Sequence, residues 1–133
     1  MDQRAIIETA KKDLAFLEGD VLGVLIYGSW ATGMGHEKSD IDICIVAPSA
    51  EDKIALWRKA IAAIRDDRYD VRIFELLPLY LKMAVIEQGV VVRSRDVLEL
   101  YEYFYPFRRM WGDQKHRQIL SRDEVRAMLG RAC

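Results

Sequence analysis

Two short apolar runs limit the folds that this chain can adopt. The segments "VLGVLIY" and "IDICIVA", residues 21–27 and 41–47, are rich in branched residues. Apolar runs of this length are typical of strands that are covered on both faces. A glycine-containing loop separates the two runs, so we predict two neighbouring strands.

The rest of the chain predicts helices and two further strands. Apolar spacing and helix-start signals predict helices over residues 5–17, 52–66, 78–87, 97–110 and 121–129. Strands are predicted over residues 69–76 and 90–94, the latter at a sheet edge. This order predicts an α/β (α+β) fold, with a small mixed β-sheet of about four strands flanked by helices. Residues 1–133 are expected to form one domain, with C-terminal helices from about residue 97.

Composition excludes several classes of function. Lys plus Arg number 20 against 21 Asp plus Glu, so no overall basic field favours a nucleic-acid partner. No apolar run approaches the roughly 20 residues that span a bilayer, and the N-terminus has charges where a signal peptide needs its apolar centre. Cys44 is predicted in the core and Cys133 in the tail, without metal-ligand spacing. We expect a cytoplasmic protein without a membrane partner.

An acidic pair interrupts the second apolar run. Asp40 and Asp42 are two residues apart, so on a strand both side chains face the same side. Two carboxylates this close raise each other's pKa unless a cation lies between them, and Mg²⁺ prefers such oxygen ligands. The alternative is that both aspartates cap the loop at a solvated edge.

The first apolar run ends in Gly28-Ser29. Glycine lets the backbone approach a ligand closely, and the following amides and the serine hydroxyl can donate to phosphate oxygens. An ordinary turn explains the same two residues if they are considered alone. Their combination with the acidic pair favours a binding site.

The combined pattern is Gly-Ser after a strand, ten intervening residues, and Asp-x-Asp at the next strand. It resembles the nucleotidyltransferase superfamily of DNA polymerase β, and in particular its small single-domain branch, the minimal nucleotidyltransferases (MNT-type). The signature residues here are Gly28, Ser29, Asp40 and Asp42, and the family's third carboxylate corresponds to Asp70 in "YDVRIF". The resemblance covers most of the chain and implies the family's palm-like fold.

This resemblance implies a Mg²⁺-dependent enzyme that transfers a nucleoside monophosphate, most often AMP from ATP, to a hydroxyl. Gly28 and Ser29 would bind the triphosphate of ATP or another NTP. Asp40 and Asp42 would ligate both of two Mg²⁺ ions, roughly 3.5–4 Å apart. Asp70 would ligate the first ion and accept the proton of the attacking hydroxyl.

The resemblance also implies a partner. Small members of the family are frequently antitoxins encoded beside a helical HEPN ribonuclease toxin, which they modify at a tyrosine. A non-catalytic antitoxin or scaffold that covers its partner is the alternative, and self-association into a homo-oligomer is left open. An antibiotic-modifying nucleotidyltransferase would need a helical substrate domain, for which no residues remain.

One departure from the family concerns positive charge. Many relatives carry arginines just after the serine, where this chain has Trp30 and Thr32. A cationic contribution to triphosphate binding is therefore either absent or supplied by Lys38, His36 or Arg72.

The C-terminal segment "YEYFYPFRRMWGDQKHRQ" mixes aromatic and basic residues. We predict a helix with Tyr101, Phe104 and Trp111 in the core and its cations in solvent. Contact with RNA and contact with a partner protein are the alternatives.

Overall fold

A mixed four-stranded sheet is the centre of the structure. The structure is a computed structural model and describes residues 2–36 and 38–113. Its strands are β1 Gly23–Tyr27, β2 Ile41–Val46, β3 Tyr69–Ile73 and β4 Val90–Ser94. The strand order is β3-β2-β1-β4, with β1 antiparallel to both its neighbours and β2 parallel to β3. The predicted pairing of the first two strands and the edge position of β4 are confirmed.

Helices flank the sheet. They are α1 Gln3–Asp13, α2 Lys53–Ala63, α3 Leu79–Gln88 and a fourth, α4, over residues 97–113. Three of them begin at an aspartate whose carboxylate accepts backbone N–H bonds: Asp2 from Ala5, Asp52 from Ala55, and Asp96 from Leu98. The predicted helix over 121–129 lies outside the described residues. Within the described ranges, no helix is long and apolar enough to cross a membrane.

Several element boundaries differ from the sequence prediction. The helix predicted over residues 52–66 ends at Ala63, and the helix predicted over residues 97–110 continues to residue 113. The third strand ends at Ile73 because Phe74–Leu76 forms a 3₁₀ turn. The Glu75 carboxylate holds this turn, since it accepts the Ala47 N–H at 3.0 Å and the Tyr103 hydroxyl at 2.8 Å. Tertiary hydrogen bonds to Ala47, the residue after β2, and to α4 therefore hold the turn that ends the strand.

The first helix also differs, because it begins two residues before the predicted start. Asp2 caps it, and the α-helix ends at Asp13 before a 3₁₀ turn, Ala15–Leu17.

The sheet separates two apolar cores. Strand residues alternate between the faces, so Ile43 lies in the core under α1 and α2, whereas Cys44 lies in the core under α3 and α4. Cys44 is fully buried, as predicted. The second core is rich in aromatic rings, and Phe74 lies 5.2 Å from Phe104 between ring centroids.

One prediction about buried apolar residues is wrong. Tyr101 on α4 is exposed, although Phe104 is buried and Trp111 packs against the second core as predicted. On α2, Ala60 alone is fully buried; the apolar residues that remain exposed are Ile54, Trp57 and Ile61. Sequence spacing marks an apolar stripe, but it does not show how much of the stripe a neighbouring element covers.

Replacing Phe104 by Ala should lower the free energy of unfolding by about 3–5 kcal/mol, because the ring is 1% exposed and leaves a cavity. The control is Tyr105→Ala, since Tyr105 is 59% exposed and should change stability by less than about 1 kcal/mol. Urea unfolding of the two variants tests this assignment. Equal losses of stability would contradict it.

Candidate active site

The predicted site residues lie in one row across three strands. At the row's centre, Asp42 on β2 is the register partner of Tyr27 on β1 and of Asp70 on β3. Gly28-Ser29 directly follows Tyr27, at the end of β1. The structure thus brings together the glycine-serine turn and two of the predicted carboxylates.

The carboxylates share one face of the sheet. Asp42 alternates with Ile43, which is in the first core, so its side chain points to the face of the second core. The same alternation places Asp70 and Arg72 on that face, because Val71 between them belongs to the first core. Asp40 lies one residue before β2 and is exposed, whereas Asp42 and Asp70 are half-buried.

Gly28 is required at its position for two reasons. Its φ is +72°, in the left-handed region that favours glycine. In addition, a Cβ at this position would overlap Oδ2 of Asp42 and lie 3.2 Å from its Cγ. The absence of a side chain therefore lets the β1 backbone lie against the Asp42 carboxylate.

Gly28–Trp30 forms a 3₁₀ turn, and the first amides of such a turn have no partner inside it. Ser29 is half-buried beside these amides. Its carbonyl accepts the Thr32 hydroxyl at 3.2 Å and the Met34 N–H at 2.9 Å, so the turn is held from within the loop. The arrangement leaves the turn able to donate to an anion.

The residues at the family's arginine positions are structural. Trp30 is 3% exposed, and its indole N–H donates to the Ser39 carbonyl at 3.4 Å. The Gln3 amide donates to the Trp30 carbonyl at 2.9 Å and so ties α1 to the loop. Thr32 bonds the turn itself. These contacts fix the loop that leads from Ser29 to Asp40.

Of the three cations considered for the missing charge, Arg72 lies beside the carboxylates. Its Nη2 is 3.7 Å from Oδ2 of Asp70, and both side chains are about half exposed. The His36 ring has a different role, because its Nδ1 accepts the Lys38 N–H at 3.2 Å within the loop.

The electrostatics of the row favour a bound cation. Burial raises the pKa of Asp42, the charges of Asp70 and Asp40 raise it further, and Arg72 opposes the shift. Burial, together with the nearby Asp42 charge, also raises the pKa of Tyr27 to about 12. A cation among the carboxylates would stabilise their charged forms and so lower the pKa of Asp42.

The donor set suits a hard cation. The three aspartates offer only oxygen ligands, which Mg²⁺ prefers. Across residues 2–36 and 38–113, however, no three His, Cys, Asp or Glu side chains converge closely enough to hold a metal ion. Asp70 pairs with Arg72 instead, so a cation would compete with the guanidinium for this carboxylate.

Sequence comparisons agree with this geometry. The sequence model described as "Polymerase beta, Nucleotidyltransferase" matches residues 5–97. The chain is 41% identical over 97 residues to "Putative protein adenylyltransferase MJ1547" of Methanocaldococcus jannaschii, a match that covers 73% of this chain and 75% of that protein. It is 27% identical over 100 residues to "Protein adenylyltransferase MntA" of Shewanella oneidensis, which covers 74% of this chain and 59% of that protein.

Solved structures show the same fold. A chain from a crystal structure of a toxin-antitoxin with AMP-PNP superposes with a TM-score of 0.65 at 22% identity, covering 94% of this chain and 98% of that chain. A second match comes from a tri-AMPylated Shewanella oneidensis HEPN toxin in complex with MNT antitoxin. Its TM-score is 0.62 at 20% identity, over 92% of this chain and 98% of that chain.

Gly28→Ala should weaken Mg²⁺-ATP binding at least tenfold, because the added methyl group displaces the Asp42 carboxylate and strains the turn. Gly33→Ala is the matched control. Gly33 also has a positive φ, +80°, but a Cβ there meets nothing within 4 Å. Both variants carry a backbone strain of about 1–2 kcal/mol, so calorimetric titration with ATP separates the effect on the site from the strain. Equal affinities of the two variants would contradict this placement of the turn.

Proposed function

The chain belongs to the nucleotidyltransferase family of DNA polymerase β, and we propose that it transfers AMP from ATP to a hydroxyl group of a partner protein. The observation that supports this proposal most is the row formed by Gly28-Ser29, Asp42 and Asp70 across three neighbouring strands. In this row the Gly28-Ser29 turn lies on one side of Asp42 and the Asp70 carboxylate lies on the other, which supports phosphate binding by the turn and a base role for Asp70. A nucleotidyl transfer needs the group that binds the leaving phosphates and the base that accepts the proton on opposite sides of the reacting phosphorus.

Each residue has a distinct role in the proposed reaction. The turn at Gly28-Ser29 binds the triphosphate through its amides and hydroxyl. Mg²⁺, when bound, would be held by Asp40, Asp42 and Asp70 and would supply positive charge to the phosphates and to the attacking oxygen. Arg72 is placed to bring a further positive charge to the same face of the sheet.

The transfer is a displacement at the α-phosphorus. The acceptor hydroxyl oxygen forms a bond to the α-phosphorus, and the bond from that phosphorus to the oxygen bridging to the β-phosphate breaks. Pyrophosphate leaves on the side of Gly28-Ser29. The hydroxyl proton passes to the Asp70 carboxylate, which acts as general base.

The acceptor we propose is a tyrosine hydroxyl of a helical HEPN-type toxin, with this chain as the antitoxin. Support comes from the names of the relatives, which are protein adenylyltransferases, and from the structural match to an MNT antitoxin in complex with an AMPylated HEPN toxin. A non-catalytic antitoxin that only covers its partner is the second candidate. The presence of Asp40, Asp42 and Asp70 favours the enzyme, because a protein that only covers its partner does not need three carboxylates at this position.

The experiment that tests the proposal incubates this protein with Mg²⁺, ATP labelled in the α-phosphate and a HEPN-type protein, which is to be sought in the reading frames adjacent to its gene. We expect label on a tyrosine of the HEPN protein and none when EDTA is added. Capture of the HEPN protein without label, at saturating Mg²⁺-ATP, would favour the covering role.

Substitution of the aspartates separates binding from chemistry. Asp70→Asn should retain Mg²⁺-ATP affinity within a few-fold and lower kcat at least a hundredfold, because it removes the base that acts mainly in the transition state. Asp42→Asn should reduce both affinity and kcat, since Asp42 is at the centre of the row. Labelled-AMP transfer and equilibrium ATP binding give the two quantities.

Asp67→Asn is the control for these variants, because Asp67 is an exposed carboxylate in the turn just before β3. Its activity should equal that of the unchanged protein. Full activity of Asp70→Asn would remove Asp70 from the proposed site, and an equal loss with Asp67→Asn would show that the effect is not specific to Asp70.

A further inference from the structure

An apolar groove adjoins the carboxylate row at the outer edge of the sheet. It has a volume of about 470 Å³, and its walls come from α2, β3 and the 3₁₀ turn after β3. Ile54 and Trp57 line one side, Leu76 lines another, and Asp70 lies in the same groove. The proposed general base is therefore one of the residues that line an apolar surface.

Large apolar side chains in this groove are exposed to solvent. Ile54 is 55% exposed and Leu76 is 56% exposed, and the Trp57 ring is also accessible. Contiguous exposed apolar surface of this kind is typical of sites that bind a partner. Because Asp70 lines the same groove, a partner bound there would lie next to the proposed general base.

The edge of β3 is not open to simple strand addition. Ile41 of β2 donates its N–H to the Arg68 carbonyl, so alternate residues of β3 form backbone hydrogen bonds with β2. By this alternation the backbone N–H and carbonyl of Val71 point away from β2, toward the open edge of the sheet. The Trp57 indole N–H already donates to the Val71 carbonyl at 2.8 Å. Because this acceptor is used, the groove offers apolar side-chain contacts rather than a continuous row of backbone groups.

The order of the strands indicates what occupies the groove. Gly28-Ser29 at the end of β1 receives the leaving pyrophosphate in the proposed function, and β2 carries the central acidic pair. The attacking hydroxyl must approach from the opposite side in an in-line displacement. In the strand order β3-β2-β1-β4, the opposite side of the acidic centre is occupied by β3. β3 is the edge strand, and the groove lies along it.

We propose that the groove binds the apolar side chains next to the acceptor tyrosine of the partner protein and thereby selects which hydroxyl reaches Asp70. This inference rests on the proposed function, since it assigns the acceptor side of the same reaction. Trp57 and Ile54 supply flat and branched apolar surface for an aromatic or aliphatic neighbour of the tyrosine. Leu76 lies at the exposed end of this surface.

The test compares two leucines. Leu76→Gln should lower kcat/KM for AMP transfer to the HEPN-type partner at least tenfold, mainly through KM, while Mg²⁺-ATP affinity changes less than twofold. Leu98→Gln, on α4 and 73% exposed, is the matched control and should leave both quantities unchanged. Leu76→Met keeps an apolar side chain of similar size and should therefore retain most of the kcat/KM that Leu76→Gln loses. An unchanged kcat/KM for Leu76→Gln, or an equal loss of ATP affinity, would overturn the inference.

A second readout does not depend on catalysis. A photoreactive side chain placed at position 76 should cross-link to the HEPN protein near its acceptor tyrosine, whereas one at position 98 should not. Cross-linking at 76 without any transfer of label by the unsubstituted protein supports the groove and refutes the proposed reaction. Transfer of label without cross-linking at 76 supports the reaction and refutes the groove.

Discussion

The close approach between Gly28 and the Asp42 carboxylate is the contact on which the rest of the site depends. It requires a residue without a side chain at a positive φ, directly after β1, and a β1–β2 register that pairs Tyr27 with Asp42. A shift of this register by one residue would point Asp42 into the first core. Asp42 is the polar residue of an otherwise apolar strand, so the register that keeps its carboxylate out of the first core also places the site.

Charge distribution follows from this arrangement. The half-buried Asp42 has Asp70 beside it and Asp40 just before its strand, and the Arg72 guanidinium lies on the same face. The raised pKa of Asp42 reflects burial first and these neighbouring charges second. The fold thus holds an acidic centre at some electrostatic cost, which a divalent cation and a triphosphate would relieve when they bind together.

Local sequence patterns predicted most of the sheet. The spacing of Gly28, Ser29, Asp40 and Asp42 relative to two predicted strands singled them out as candidate site residues, whereas Asp70 was named through the family resemblance; the structure places Asp70 beside Asp42 in the register of β2 and β3. The surroundings were not predictable, because they depend on contacts distant in sequence: Trp30 is buried by the loop and by α1, and Glu75 holds the turn that ends β3 through bonds to Ala47 and α4. Tyr27 was missed as a neighbour of Asp42, although pairing the two predicted strands would have indicated it. The exposed apolar residues of α2 could not be identified from the sequence, because an apolar spacing does not show which residues a neighbouring element covers.

A crystal structure with Mn²⁺ and a non-hydrolysable ATP analogue tests the central claim most directly, since anomalous scattering locates the metal independently of any assumed role. The account predicts metal peaks at ligand distance from the carboxylate oxygens of Asp42, Asp40 and Asp70, the triphosphate against the turn at Gly28-Ser29, and the α-phosphate open toward β3. A nucleotide bound on another face of the sheet, or a metal held without Asp42, would contradict it.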